Sequence, residues 1–84
     1  MKTSIEISYY PLNDTYRKHI GDFIDRLNLH ENLIVNTNGM STQVFGEYDD
    51  VMASITKEIK ASFELPHSVF ILKIINADLQ QIPK

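Results

Sequence analysis

Apolar and polar residues alternate in four short segments of the chain, which predicts four β-strands. The segments are residues 3–10, 33–37, 41–45 and 68–75. Residues 14–28 and 49–63 carry apolar side chains at the spacing of one helical face, which predicts two amphipathic helices. Asn13 or Asp14 is the expected N-cap of the first helix, and Asp49 that of the second. The order βαββαβ predicts a ferredoxin-like α+β fold, with an antiparallel four-stranded sheet in the order 4-1-3-2 and both helices on one face.

A tight turn is predicted between the second and third strands. The dipeptide Asn38-Gly39 suits the positive φ angles of a two-residue type I′ hairpin turn. Such a turn would place Met40 opposite Thr37, and Thr42 opposite Val35. This turn therefore predicts the register of the two strands.

Two glycines and the end of the chain fit the pattern less well. Gly46 is expected to end the third strand. Gly21 lies inside the first helix at a cost of about 1 kcal/mol relative to alanine, so either the helix approaches the sheet closely there or the residue is suboptimal. Residues 76–84 have no period, and we expect them to fray or to pack on a neighbouring element.

One face of the predicted sheet has no helices to cover it, and we call it the open face. The helix-covered face is expected to present Ile5, Ile7, Val35, Val44, Phe70, Leu72 and Ile74. The open face is expected to present Ser4, Glu6, Ser8, Tyr10, Ile34, Asn36, Ser41, Gln43, Phe45, Val69, Ile71, Lys73 and Ile75. Its aliphatic residues on the fourth strand would form an exposed apolar patch on a monomer, so we expect a homodimer or homotetramer through this face. Its polar centre inside an apolar rim is also typical of a small-molecule site.

Length and charge narrow the function classes. The chain has 84 residues, a net charge of −3 and no cysteine, which indicates one domain over residues 1–84 and excludes disulfides and thiolate metal sites. The acidic balance, without a run of Lys and Arg, argues against nucleic acid as a partner. The polar, alternating start and the lack of an apolar run near ~20 residues predict a cytoplasmic protein without direct membrane insertion.

Two motifs resemble the thiamine-binding YkoF-like family. Residues 8–12, Ser-Tyr-Tyr-Pro-Leu, resemble the S-x-Y-P-L signature of that family at the end of its first strand. Residues 38–49 resemble its G-M-S-T segment and the Gly-acidic run that leads into its second helix. The match covers about residues 3–75 without an evident insertion. Some members carry this domain twice, whereas this sequence has it once, so pairing of two chains would replace the tandem.

The resemblance implies a protein of thiamine salvage or uptake that binds thiamine or its hydroxymethylpyrimidine half without catalysis, with thiamine as ligand and no cofactor. The residues carried over as ligand-binding are Ser8, Tyr10, Met40, Ser41 and Thr42. Their hydroxyls suit the polar edge of the pyrimidine, and Tyr10 or Phe45 could stack on a ring. Glu6 or Glu47 could attract the thiazolium cation.

Each of these residues also has a purely structural interpretation. Tyr10 could only close the strand end, Ser41 and Thr42 could only follow the turn, and Met40 could fill the core. By strict alternation Thr42 points toward the helices unless a bulge turns it. These alternatives stay open at the level of the sequence.

Other chemistry finds little support in the sequence. His19, His30 and His67 form no metal-type pair, and no nucleophile turn or glycine-rich phosphate loop is present. Glu6 and Lys73 on adjacent strands favour an ion pair over an acid/base pair. A subunit that regulates or assembles through its sheet face without a small ligand is the main alternative function, followed by an enzyme with a cavity between two sheets.

Overall fold

The computed structural model describes residues 1–81 and has the predicted elements in the predicted order. The strands are β1 (Lys2–Pro11), β2 (Ile34–Thr37), β3 (Thr42–Glu47) and β4 (Ser68–Ile75), and the helices are α1 (Tyr16–Asn28) and α2 (Tyr48–Ser62). A short 3₁₀ turn, Leu79–Gln81, follows β4. The sheet is antiparallel throughout, in the order β2-β3-β1-β4. The prediction of a ferredoxin-like fold is confirmed.

The core lies between the sheet and the two helices. It consists of Ile5, Ile7, Tyr9, Phe23, Leu27, Leu33, Val44, Val51 and Ile55. Tyr9 stacks on Phe70 with ring centroids 4.2 Å apart and meets Phe23 edge to face at 5.6 Å. Full burial of such side chains stabilises a fold by about 1.5 to 3 kcal/mol each. This packing holds the central strand β1 against α1.

Both helices begin without the predicted side-chain caps. Asn13 instead forms a turn ahead of α1, where its Oδ1 accepts hydrogen bonds from the N–H and the hydroxyl of Thr15, at 2.8 and 2.6 Å. Glu47 occupies the N-cap position of α2 without a capping hydrogen bond, so the prediction of Asp49 as the cap was wrong. Asp49 lies in the first turn of α2, where a carboxylate still interacts favourably with the helix dipole.

The hairpin between β2 and β3 differs from its predicted form. Thr37 pairs with Thr42, and Val35 with Val44, so residues 38–41 form a loop of four residues rather than a two-residue turn. The expected positive φ angles do not occur at any residue from 1 to 81. The Oδ1 atom of Asn38 instead accepts the N–H groups of Met40 and Ser41, at 2.8 and 3.1 Å. Because the register moved by two residues, each side chain stays on its predicted face.

The two neighbours of β1 differ in length. The pairing with β3 ends at Ile7 and Thr42, whereas the pairing with β4 continues to Pro11 and Ser68. The last four residues of β1, Ser8–Pro11, therefore have a neighbouring strand on only one side. We call this segment the β1 overhang.

Close packing explains the glycine at position 46 but not the glycine at position 21. Gly46 continues β3 opposite Thr3, which corrects its assignment as the end of the strand. A Cβ atom at Gly46 would lie 3.1 Å from Val51 Cγ2 and 3.3 Å from the Asn32 carbonyl, so the close approach of these elements favours glycine. No heavy atom lies within 4 Å of a Cβ built on Gly21, so α1 does not approach the sheet closely there.

The segment after β4 folds back over the open face. The Ser4 hydroxyl donates to the Ala77 carbonyl at 2.7 Å and accepts the Leu79 N–H at 3.0 Å. This contact buries Ser4, which the sequence placed on the uncovered side of the sheet. The prediction that the tail packs on a neighbouring element is thus met up to residue 81, and residues 82–84 lie outside the described residues.

The rest of the open face remains largely uncovered. Its pairs across the strands match the predicted faces, with Glu6 between Gln43 and Lys73. Its exposed aliphatic residues are Ile34, Val69, Ile71 and Ile75, with 48%, 41%, 61% and 43% of their surface accessible. Ile74 belongs to the opposite face through its pairing with Ile5, yet it is 49% exposed, because β4 is an edge strand that the helices do not fully cover. Within residues 1–81, no helix is long and apolar enough to cross a membrane.

Candidate functional site

A cleft of about 440 Å³ lies at the end of the sheet where β1 extends beyond β3. Its walls are the β1 overhang, the part of α1 from Tyr16 to Ile24 and the loop 38–41. The lining residues from β1, the loop and the first position of β3 include all five residues expected to bind ligand: Ser8, Tyr10, Met40, Ser41 and Thr42. From α1 the cleft receives Tyr16, Ile20, Phe23 and Ile24. The volume falls within the range of small-molecule sites, about 300 to 1,000 Å³.

Ser8 and Ser41 lie on the open-face side of the cleft. If the β1–β3 register is continued by one residue beyond Ile7 and Thr42, these two serines stand opposite each other. The Ser41 hydroxyl donates to Glu6 Oε2 and accepts from Gln43 Nε2, both at 2.8 Å. The hydroxyl of Ser8 makes no hydrogen bond within residues 1–81. Ser41 is thus fixed by protein contacts, whereas Ser8 is available to a ligand.

Glu6 places a negative charge beside the cleft, where its carboxylate accepts a hydrogen bond from the lining residue Ser41. The hydrogen bond from Ser41 lowers the pKa of Glu6 below its ordinary value, and Lys73 lowers this pKa further through a contact of 3.4 Å to Oε1. The carboxylate therefore stays ionised at neutral pH. The predicted ion pair with Lys73 is present, and the lysine side chain is 84% exposed, so its charge is well hydrated.

The remaining three expected site residues differ in exposure. Tyr10 is 52% exposed and Met40 is 88% exposed, so Met40 does not fill the core. Thr42 is 6% exposed, and its hydroxyl lies 3.1 Å from the hydroxyl of Thr37. Thr42 pairs with Ile7 on the helix-covered side, as strict alternation indicated. It therefore reaches the cleft only from that side of the sheet.

Two other residues considered for the ligand lie elsewhere. Glu47 is at the far end of β1, where its carboxylate binds the amino terminus at 3.1 Å and Lys2 at 3.2 Å. The register places Glu47 opposite Lys2, six residues before Ser8, which corresponds to about 20 Å of strand. Phe45 lies opposite Ser4, also away from the cleft. Neither residue lines the cleft.

Sequence reasoning missed the contribution of α1. Tyr16 falls within residues 14–28, which were predicted to form an amphipathic helix with one apolar stripe, but it is 45% exposed and faces the cleft. It is the first residue of the helix, where the stripe extends past the buried core. The sequence did contain a signal for this contribution. Tyr16 belongs to the apolar stripe of the helix but lies beyond the end of the neighbouring strand.

A second cavity, of about 500 Å³, lies on the open face at the opposite end of β1. Its lining includes Ser4, Glu6, Gln43, Phe45, Lys73 and Leu79. None of the five residues expected to bind ligand contributes to it. The folded-back tail forms one of its walls through Leu79.

A separate polar cluster joins the two helices, and we call it the helix–helix cluster: Arg26, His30, Glu58 and Ser62. Arg26 Nε donates to Glu58 Oε1 at 3.0 Å, and His30 Nε2 lies 2.7 Å from Glu58 Oε2. Arg26 also donates to the Ser62 hydroxyl at 2.6 Å. Burial raises the pKa of Glu58, but the hydrogen bonds from His30 and Arg26 outweigh it and leave this pKa below the ordinary value.

No group of three or more histidine or acidic side chains with the geometry of a metal site occurs among residues 1–81. The buried carboxylate of Glu58 is held by Arg26 and His30 instead. The candidate site is the cleft beside the β1 overhang, because it brings together all five residues expected to bind ligand.

Comparisons with known proteins support the fold. No family model matches the sequence, and no curated protein matches it. Among solved structures, a hypothetical protein from Methanocaldococcus jannascii is 24% identical with a TM-score of 0.78, and the alignment covers 92% of this chain and 81% of that protein. A protein from Streptococcus pneumoniae is 19% identical with a TM-score of 0.82, and the alignment covers 98% and 93% of the two chains.

A third structure carries a functional suggestion in its name. It is a protein from Thermotoga maritima for which a role in thiamine biosynthesis or salvage is proposed. It is 16% identical with a TM-score of 0.81, and the alignment covers 92% of this chain and 85% of that protein. At such identities the likeness shows the fold alone, and membership of the YkoF-like family stays a prediction. The chain has the ferredoxin-like fold that these proteins share.

Proposed function

We propose that the protein binds thiamine or its hydroxymethylpyrimidine half in the cleft beside the β1 overhang, without catalysing a reaction. The observation that carries the proposal is that five residues from two distant motifs line one cleft of about 440 Å³. The name of the Thermotoga maritima protein of the same fold adds weak support. The proposal places this binding in thiamine salvage or uptake, in the cytoplasm.

The chemistry of the cleft suits a neutral or cationic heterocycle. Within residues 1–81 its lining contains hydroxyls, one amide, aliphatic groups and aromatic rings, but no charged side chain. The ionised Glu6 lies just outside, one hydrogen bond from Ser41. A thiazolium cation would gain from that carboxylate and from the ring of Tyr10, a cation–aromatic contact worth about 0.5 to 2 kcal/mol. The proposal assigns no catalytic residue.

A thermal-shift titration tests the proposal directly. The purified protein is melted with thiamine, hydroxymethylpyrimidine, and thiamine diphosphate. A ligand at 100 times its dissociation constant stabilises the folded form by about 2.7 kcal/mol, which for a small domain raises Tm by about 10 °C or more. No shift with thiamine or the free pyrimidine at millimolar concentration would contradict the proposal.

The comparison with thiamine diphosphate adds a test of the charge argument. Because the lining holds no cationic side chain that could bind phosphate, we expect thiamine to bind at least as tightly as the diphosphate in calorimetry. Markedly tighter binding of the diphosphate would contradict the argument that the cleft recognises the heterocycle of the ligand rather than its phosphates.

The main alternative is a subunit that assembles through the open face and has no small ligand. The exposed aliphatic residues of β4, among them Ile71 at 61%, specifically favour this function. Sedimentation of the wild type and of Ile71→Asp measures the assembly, with Leu29→Asp as a control, because Leu29 is 79% exposed at the end of α1. Dissociation by Ile71→Asp alone, together with no ligand binding, would favour this alternative.

A further inference from the structure

We infer that the backbone N–H and C=O of Tyr9 form hydrogen bonds with the edge of the bound heterocycle. These two groups are free to do so because no neighbouring strand within residues 1–81 pairs with them. This inference rests on the proposed function, since it concerns the same cleft. It differs from the residues expected from the two motifs, all of which would act through side chains. Its basis is the direction of the backbone groups along β1.

Two hydrogen bonds fix that direction. In an antiparallel pair, facing residues alternate between those that exchange backbone hydrogen bonds and those that do not. The Leu12 N–H donates to the His67 carbonyl at 2.9 Å, so the even-numbered residues of β1 direct their backbone groups toward β4. The Tyr48 N–H donates to the Met1 carbonyl at 2.8 Å, so the odd-numbered residues direct theirs toward β3. Tyr9 belongs to the second set.

β3 does not extend far enough to pair with Tyr9, because its pairing with β1 ends at Ile7 and Thr42. Continuing the β1–β3 register would place Met40 opposite Tyr9, but Met40 lies in the loop 38–41 and its N–H bonds to Asn38 Oδ1. Neither backbone group of Tyr9 bonds to a residue of that loop. The next residue on the same side is Pro11, which has no N–H and whose carbonyl accepts from Asn13 at 3.0 Å. Within the β1 overhang, Tyr9 alone offers both a donor and an acceptor to the cleft.

These two groups face the cleft, which Tyr9 lines, while the ring of Tyr9 packs in the core. Backbone N–H and C=O groups bind water when no protein partner is present, and a ligand in the cleft can take the place of that water. The N–H and C=O of one strand residue point the same way, so they match a flat ring with a neighbouring acceptor and donor. A ring nitrogen beside an exocyclic amine, as in a 4-aminopyrimidine, is such an edge.

The surrounding side chains fit a ring bound in this way. A ring that continues the plane of the sheet from Tyr9 would have one face toward the open-face residues Tyr10 and Ser41. Its other face would turn toward Ile20 and Phe23 on the helix-covered side. The ligand class is therefore a planar heteroaromatic base with an amidine-like edge. The side-chain hydroxyls add hydrogen bonds to those that the backbone of Tyr9 makes with this edge.

Selective labelling with ¹⁵N-tyrosine tests the inference in the intact protein. The chain has 4 tyrosines, so the spectrum holds four amide signals, which single Tyr→Phe variants assign. At thiamine concentrations ten times the dissociation constant, we expect the amide of Tyr9 to exchange with solvent about tenfold more slowly. The amide of Tyr10 is the internal control, because its N–H points toward β4 and should keep its exchange rate.

A ligand analogue supplies the second measurement. Thiamine without its 4-amino group lacks the donor for the Tyr9 carbonyl, and we expect it to bind about 5- to 150-fold more weakly. If thiamine binds but the analogue binds equally and Tyr9 exchange is unchanged, the inference fails while the proposed function stands. If neither thiamine nor hydroxymethylpyrimidine binds, both fail. Protection of Tyr9 that depends on protein concentration alone would assign the edge to a second copy and would also overturn the inference.

Discussion

The helix–helix cluster and the cleft both place polar groups against the apolar core, yet they treat those groups in opposite ways. In the cluster, Glu58 is 5% exposed, and its two carboxylate oxygens are bonded by Arg26 and His30. In the cleft, the hydroxyl of Ser8 and the backbone of Tyr9 have no protein partner among the residues described. Polar groups satisfied within the chain contribute to stability, whereas those left open are available for binding.

This difference should separate stability from affinity among variants. Removal of a group from the cluster leaves its partners unpaired in the folded state, so the fold loses stability. Removal of an open group from the cleft changes little until the ligand arrives. The predictions below test that separation, from the largest expected effect to the smallest.

Glu58→Ala should lower the free energy of unfolding by about 3 kcal/mol, because Arg26 and His30 lose the carboxylate between them. For a domain of this size Tm should fall by about 12 °C or more, as measured by circular dichroism. Affinity for thiamine should be unchanged. Glu31→Ala, on the exposed surface beside His30, is the matched control and should leave Tm nearly constant. Equal melting of the two variants would contradict a stabilising cluster.

Ser8→Ala should weaken thiamine binding by about 5- to 150-fold, since a ligand group that the hydroxyl bonds would be left unpaired at a cost of about 1 to 3 kcal/mol. Tm of the free protein should hardly change, because Ser8 has no hydrogen bond to lose within the part of the chain described here. Calorimetry and melting on the same sample check both statements. A drop in Tm with unchanged affinity would assign Ser8 to the fold instead.

Ser41→Ala should affect both quantities modestly. Its hydroxyl joins Glu6 to Gln43, so its loss should cost about 0.5 to 1 kcal/mol of stability. It also releases Glu6, so thiamine affinity should fall less than with Ser8→Ala. Ser41→Thr keeps the hydroxyl and should restore stability. An effect on affinity larger than that of Ser8→Ala would show that Ser41, rather than Ser8, is the main polar contact.

Acid should weaken the cluster more than the cleft. The folded-state pKa of Glu58 lies below its ordinary value of 4.5, so its contribution to stability is present above that pH and is lost as the pH falls through the folded pKa. In urea melts between pH 6 and 3, taken as about the range of carboxyl titration, Glu58→Gln should flatten the decline. Glu6→Gln should leave it almost unchanged, because that carboxylate is exposed to solvent. Parallel curves for the wild type and Glu58→Gln would contradict this assignment.

The sequence predicts more of the fold than of the cleft, for a physical reason. Alternation and helical period report which residues form regular elements, and the apolar run of β4 predicted its bounds, Ser68 to Ile75, without error although β4 is an edge strand. The hairpin was wrong because the Asn38 side chain bonds the loop backbone, a local competition that apolar patterning does not record. The predicted faces of the strands were still correct, because a shift of two residues in the β2–β3 register keeps each side chain on its side of the sheet.

The cleft itself follows from a mismatch in strand lengths, which no single motif encodes. The motifs named Ser8, Tyr10 and Met40 through a resemblance, and the structure brings these residues to one cavity. The open backbone of Tyr9 depends on where β3 ends relative to β1, and therefore on the loop that was predicted wrongly. The contribution of Tyr16 depends in the same way on α1 extending beyond the core.

The pairing of β1 with β4 has a consequence for how the protein forms during synthesis. These strands lie at opposite ends of the sequence, and the β1 overhang has β4 as its only neighbour. Contacts between such distant segments close slowly, after the local ones. During translation, β1 can be flanked by β4 only after residues 68–75 have left the ribosome. The cleft is thus expected to be the last part of the molecule to become able to bind a ligand. A nascent chain that stops before residue 68 should contain β1 but lack a formed binding cleft.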